Sequence, residues 1–174
     1  ADWRSYLRDT AHAQASGLAG ERLALEGSIP RGSGLSSSAS LCVALGRALS
    51  AASGEPLPEP RALALAAQAA EHRWAGVHCG IMDQMAVAAG EAGSALLLDC
   101  RDLATQKVSL PQDWAVMIVQ SGVRRGLVDG HYNARRRDCE VAAAALGVPS
   151  LREASLPQVE AAAPRQSLNW AACR

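Results

Sequence analysis

The chain has 174 residues, with 17 basic and 17 acidic side chains, 49% hydrophobic residues, five cysteines and no phenylalanine. A chain of this length buries about two-thirds of the surface its unfolded form exposes, which excludes a disordered segment and leaves one domain or parts of two. Zero net charge excludes the clustered basic surplus of a nucleic-acid binder, and no apolar run approaches the roughly 20 residues that cross a bilayer.

Residues Ala1 to Thr10 are charged and polar, unlike the apolar stretch of a secretory signal. The cysteines, at positions 42, 79, 100, 139 and 173, form no C-x-x-C pair. That set fits reduced thiols in the cytoplasm better than a disulfide framework. Alanine is heavily used and Lys107 is the only lysine, so the core must be built mainly from Ala, Leu and Val.

In chain order, Trp3, Tyr6, Leu7, Thr10 and Ala11 recur at helical spacing and predict a helix over Asp2 to Gln14. Arg22 to Glu26 alternates charged and apolar residues and predicts a strand, ended by Pro30, Gly32 and Gly34. From Ser36 the period changes: Leu41, Cys42, Leu45, Ala48 and Leu49 predict a helix that starts in a serine run and stops at Gly54 and Pro56. A second helix follows the Pro56–Pro60 connector, with Leu63, Ala67, Ala70 and Trp74 on one face, and a third covers Ile81 to Ala89. Strands are predicted at Ser94–Asp99, Lys107–Leu110 and, as a buried one, Trp114–Gln120. Tyr132 to Leu146 returns to helix, with Cys139, Ala142, Ala143 and Leu146 as its apolar stripe and Gly147 as its stop. This mixed order implies an α+β fold of packed layers.

Three segments carry candidate chemistry. Pro30 to Ser40 runs as a glycine-rich turn from a strand into a helix, where backbone N–H groups face a ligand unhindered and the helix N-terminus favours phosphate. It lacks the lysine of a Walker A loop, so serine hydroxyls would have to help hold phosphate and a cation. An ordinary turn with a serine N-cap fits the same residues. In the second segment, Glu71 precedes Cys79-Gly80-Ile81-Met82-Asp83-Gln84. Asp83 there suits either a base or an acid favoured by the helix dipole. His72 and His78 beside Cys79 lack the spacing of known metal templates. The third segment, Ser121 to Arg125 followed by Tyr132 and Arg135–Arg137, holds arginines that can clamp phosphate or carboxylate; for Arg135–Arg137 a solvated helix face is the preferred reading.

Together PRGSGLSSSAS, EHRWAGVHCGIMDQ, GSALLLDCRDL and SGVRRGLVDGHYNARRRDCE resemble the galactokinases of the GHMP small-molecule kinase superfamily. The first matches the superfamily's phosphate loop, and the others narrow it to galactokinase over Gly27 to about Ser155. The resemblance implies a GHMP-kinase fold. Residues 1–130 would be the central and later part of an ATP-binding N-terminal domain like ribosomal protein S5 domain 2, and 131–174 the start of a ferredoxin-like C-terminal domain. It implies that Gly32, Gly34, Leu35, Ser36, Ser37 and Ser38 wrap the nucleotide phosphates, with Arg124 nearby. By the same likeness Ser38 and Glu71 bind Mg²⁺, Asp83 is the catalytic base or electrostatic orienter at the anomeric hydroxyl, and Gly80 and Tyr132 contact the sugar.

The implied reaction is ATP-dependent phosphorylation of α-D-galactose at the anomeric hydroxyl, with ATP and a sugar as partners and a monomeric parent. A related kinase acting on N-acetylgalactosamine, or a non-catalytic galactose and ATP sensor, shares the fold. Gly122 stands where the family usually has asparagine, and His78 where proline is common. The family's N-terminal sugar-binding motif, with its catalytic arginine, and its C-terminal glycine-rich motif have no counterpart, and the likeness ends near Ala163. The expectation is a central fragment without useful turnover of its own.

Overall fold

A computed structural model of the chain describes residues 24–30, 33–119 and 131–162. The chain divides into two compact units, Ala1–Val128 and Asp129–Arg174. The predicted helix at Asp2–Gln14, Arg22 and Leu23 of the first predicted strand, and the site candidates Gly32 and Arg124 lie outside the described residues.

The core of the first unit is a three-helix layer. Helix α1, Ser37–Ala52, buries Ala39, Cys42, Val43, Leu45, Gly46 and Leu49. Ala48, expected on that stripe, is exposed, so the buried face is centred on Cys42 and Leu45 and takes in the small residues Ala39 and Gly46. Helix α2, Pro60–Ala70, starts with proline at its first turn, where the missing N–H is harmless and the fixed φ is already helical. It buries Leu63, Ala64, Ala67 and Ala70; the alanines bring its neighbours close. Helix α2 then widens into a π-helical turn, Glu71–Ala75, which Gly76 ends with a left-handed φ of 64°. Trp74 falls in this turn, outside the residues whose side chains are described.

Helix α3, Met82–Ala89, turns Gln84, Met85 and Ala88 inward. Cys42 and Val43 of α1, Leu63 to Ala70 of α2 and Ile81 to Ala88 around α3 form one buried cluster. The Arg47 guanidinium of α1 donates to the Ala88 carbonyl at 2.9 Å, satisfying one of the last carbonyls of α3 with a cation that its dipole favours.

Strand β1, Ser94–Leu98, pairs antiparallel with β2, Thr105–Ser109, from Ser94 opposite Ser109 to Leu98 opposite Thr105. The link between them is shaped by two aspartates: Asp99 accepts from the Arg101 N–H at 2.9 Å and Asp102 from the Ala104 N–H at 2.8 Å. Leu103 adopts a left-handed φ of 64°, a strained conformation for a leucine. Its side chain, with Leu98 and Val87, packs against the helical core, and that burial offsets the strain.

Two strand expectations fail. Residues 24–26 form no strand and are exposed. Trp114 to Val119, read as a buried strand, has no regular secondary structure and pairs with no strand among the described residues, and Met117 is 86% exposed; Gln120 lies outside the described residues. Apolar character was taken there for burial, but a strand exists only where a neighbour completes its hydrogen-bond ladder. Among the described residues the only sheet is β1–β2, and neither segment joins it.

In the second unit, helix α4, His131–Leu146, buries Ala142 and Ala143, half-buries Cys139 and Leu146, and ends at Gly147 with φ of 68°. A short 3₁₀ turn, Leu151–Glu153, and helix α5, Leu156–Ala162, follow.

Candidate functional site

The entry to α1 is a tight turn with two left-handed residues. Ser33 Oγ donates to the Pro30 carbonyl at 2.7 Å, closing the turn before the helix. Gly34 has φ of 77° and Ser36, the N-cap residue, has φ of 54° and ψ of 34°. Left-handed residues of this kind, paired with right-handed neighbours, are the building units of anion-binding nests of backbone N–H groups. The Ser36 hydroxyl makes no capping bond, and the first turn of α1 holds no acid. The first N–H groups of α1 therefore have neither an intrahelical partner nor a competing carboxylate. Leu35, Ser36, Ser37 and Ser38 are half-buried along this entry, and Gly34 is exposed.

A polar knot lies inside the three-helix layer. Glu71 is 4% exposed and Gln84 is 0% exposed. Gln84 Nε2 donates to Glu71 Oε2 at 2.8 Å, and the Cys79 thiol donates to the same oxygen at 3.0 Å. Because a carboxylate can only accept, the Gln84 amide must turn its nitrogen toward Glu71. The Cys79 carbonyl accepts from Gln68 Nε2 at 3.1 Å and from His72 Nε2 at 2.8 Å, which requires a proton on that histidine nitrogen. The Cys79–Gly80 turn is thus pinned from both sides, and α3 starts from a fixed point. His72, weighed as a metal ligand from sequence, spends its Nε2 on this contact.

Two oxygens in the knot, Glu71 Oε1 and Gln84 Oε1, are buried without a hydrogen-bond partner among the described residues. Such atoms are costly unless something donates to or coordinates them. Ser38 stands one helical turn before Cys42 on the same face of α1. Burial, and then the nearby Glu71 carboxylate, push the Cys42 thiol pKa up, and Cys42 packs in the same buried cluster as Ala67 and Ala70 of the helix that leads into Glu71. Hard oxygen donors and an unfilled carboxylate oxygen suit a hard divalent cation such as Mg²⁺.

Burial, followed by the hydrogen bond to Glu71 and the Glu71 charge, pushes the Cys79 thiol up to about 12 from its ordinary 9.0. Only the thiolate is nucleophilic, so iodoacetamide at pH 8 should alkylate the exposed Cys100 about two to three orders of magnitude faster than Cys79 or Cys42. Peptide mapping by mass spectrometry checks this; equal rates at Cys79 and Cys100 would contradict the buried, hydrogen-bonded thiol.

Asp83 occupies the first turn of α3 and is half-buried, while Gly80 is exposed in the turn before it. The same short segment therefore delivers Asp83 outward and Gln84 inward, about 100° apart around the helix. Tyr132 lies in the other unit, at the first turn of α4, and is exposed. Of the predicted site residues in the first unit, Glu71 is tied through Cys79 and Gln84 to the turn that holds Gly80 and to the helix that holds Asp83. Sequence reasoning missed the structural roles of Gln68, Cys79 and Gln84. Polar Glu71 and Gln84 stand on otherwise apolar helical stripes, four residues after Ala67 and three after Ile81, and that was the signal available.

The GHMP kinases N terminal domain family matches residues 5–91, half of the chain. The chain belongs to the GHMP kinases. Among solved structures, this GHMP kinase chain is similar to the galactokinase of Lactococcus lactis in complex with galactose, with a TM-score of 0.73 and 28% identity. The match covers 92% of this chain and 43% of the Lactococcus protein, so the chain spans less than half the length of that relative. The α+β architecture is that of the GHMP-kinase fold, and among the described residues no helix is long and apolar enough to cross a membrane.

Proposed function

We propose that this chain is the central part of a galactokinase, which transfers the γ-phosphoryl group of ATP to the anomeric hydroxyl of α-D-galactose. The observation that carries the reading is the likeness, over 92% of the chain, to a galactokinase whose structure holds galactose. The glycine–serine entry to α1 and the buried Glu71 carboxylate fit the chemistry that phosphoryl transfer needs, namely positioning and charge neutralisation.

In this reading the backbone from Gly32 and Gly34 through Leu35, Ser36 and Ser37 cradles the ATP phosphates, with Arg124 near them. Ser38 and Glu71 would hold Mg²⁺, which when bound neutralises charge on the phosphate oxygens. Gly80 and Tyr132 contact the sugar. Asp83 accepts the anomeric proton, or holds it, as that oxygen forms its bond to the γ-phosphorus; the bond from phosphorus to the bridging oxygen breaks, and ADP leaves with the electron pair. In the same reading, residues 1–130 are the central and later part of the ATP-binding domain and 131–174 the start of the second.

The test is ADP release by the full-length natural protein with ATP, Mg²⁺ and, in turn, galactose, N-acetylgalactosamine, glucose, mevalonate and homoserine. Galactose should give the largest kcat/KM. A clear preference for N-acetylgalactosamine would move the assignment to a neighbouring sugar, and no sugar-dependent release would refute it.

A further inference from the structure

We infer that Gln84 is a positioning residue for a metal-binding carboxylate: it holds one oxygen of Glu71 so that the other is presented to a divalent cation. The inference rests on the reading above only in taking Glu71 as a metal ligand. Gln84 is fully buried, on a helix whose other buried residues are Met85 and Ala88. For packing alone, a leucine or methionine of similar size would serve without the penalty of burying an amide. What the amide adds is the 2.8 Å donation to Glu71 Oε2 and a longer one, at 3.4 Å, to Cys79 Sγ.

Two of the donors in the knot, Gln84 Nε2 and the Cys79 thiol, converge on that same oxygen. Glu71 Oε1 is left buried and without a partner among the described residues. A carboxylate gripped at one oxygen and open at the other is oriented for monodentate coordination, and partners of this kind hold metal ligands in place elsewhere. The grip also crosses two elements. Glu71 opens the π-helical turn, a distortion frequent at functional sites, while Gln84 follows Asp83 directly on α3. One hydrogen bond therefore ties the segment bearing Asp83 to the segment bearing Glu71.

The experiment measures Mn²⁺ binding by electron paramagnetic resonance in the ternary complex of the full-length natural protein with a non-hydrolysable ATP analogue. Wild type is compared with Gln84→Leu and with Gln84→Met, which keeps the unbranched length if the leucine variant does not fold. Both should retain the wild-type circular dichroism and a galactose KM within about twofold, while the Mn²⁺ dissociation constant rises about 10- to 100-fold. A folded variant binding Mn²⁺ as tightly as wild type would overturn the inference and leave the kinase reading standing. A wild-type protein adding nothing to the affinity of the analogue for Mn²⁺ would overturn both.

Discussion

Replacing Asp83 by asparagine in the full-length natural protein should lower kcat for galactose phosphorylation by roughly 10²- to 10⁴-fold, the range for loss of a positioned general base. Asparagine keeps the shape but cannot take the anomeric proton. Asp83 is half-buried in the first turn of α3, one residue before the buried Gln84. The structural loss should therefore be limited to the helix-dipole contribution of a first-turn acid, about 0.3–1 kcal/mol. ATP affinity, measured by equilibrium dialysis, should stay within about twofold. A variant with near wild-type turnover would remove Asp83 from the reaction; one that also lost ATP binding would point to a misfolded α3.

Glu71 carries the second large effect, and two variants separate its roles. Glu71→Gln keeps a side chain that fills the same space and can still accept from Gln84, so thermal stability should change little. It removes the charge, so the Mg²⁺ concentration needed for half-maximal turnover should rise at least about tenfold. Glu71→Ala leaves the buried Gln84 amide and the Cys79 thiol without their acceptor, at a cost of about 1–3 kcal/mol for the unmet group, and adds a cavity. Urea denaturation should then show a loss of about 2–4 kcal/mol. Equal stability of the two variants would contradict the polar knot, and an unchanged Mg²⁺ requirement in Glu71→Gln would contradict metal binding.

The helices were legible in the sequence because their information is local. Alanine-rich stripes at three- and four-residue spacing, a proline at the start of α2 and glycines at the helix ends placed α1 to α4 within a few residues. The two strands β1 and β2 were legible for the same reason, although their pairing was not. Trp114–Val119 was not, because pairing depends on a neighbour that the segment itself does not encode. Of the candidate site, the glycine–serine entry could be named from its residue types at a helix start, whereas Asp83 could be named only through the family likeness, since an acid in a first helical turn is commonplace. The π-helical turn at Glu71 and the grip of Gln84 could not, because a buried amide is recognised only by the partner brought to it from 13 residues away.

The central claim is that a nucleotide held at the α1 entry gives its terminal phosphoryl group to the anomeric oxygen of galactose. The most direct measurement is ³¹P nuclear magnetic resonance of the product formed by the full-length natural protein from ATP, Mg²⁺ and galactose. A phosphate monoester coupled to the anomeric proton, galactose 1-phosphate, is the predicted result. A phosphate on another hydroxyl, or release of inorganic phosphate without a sugar ester, would contradict the account.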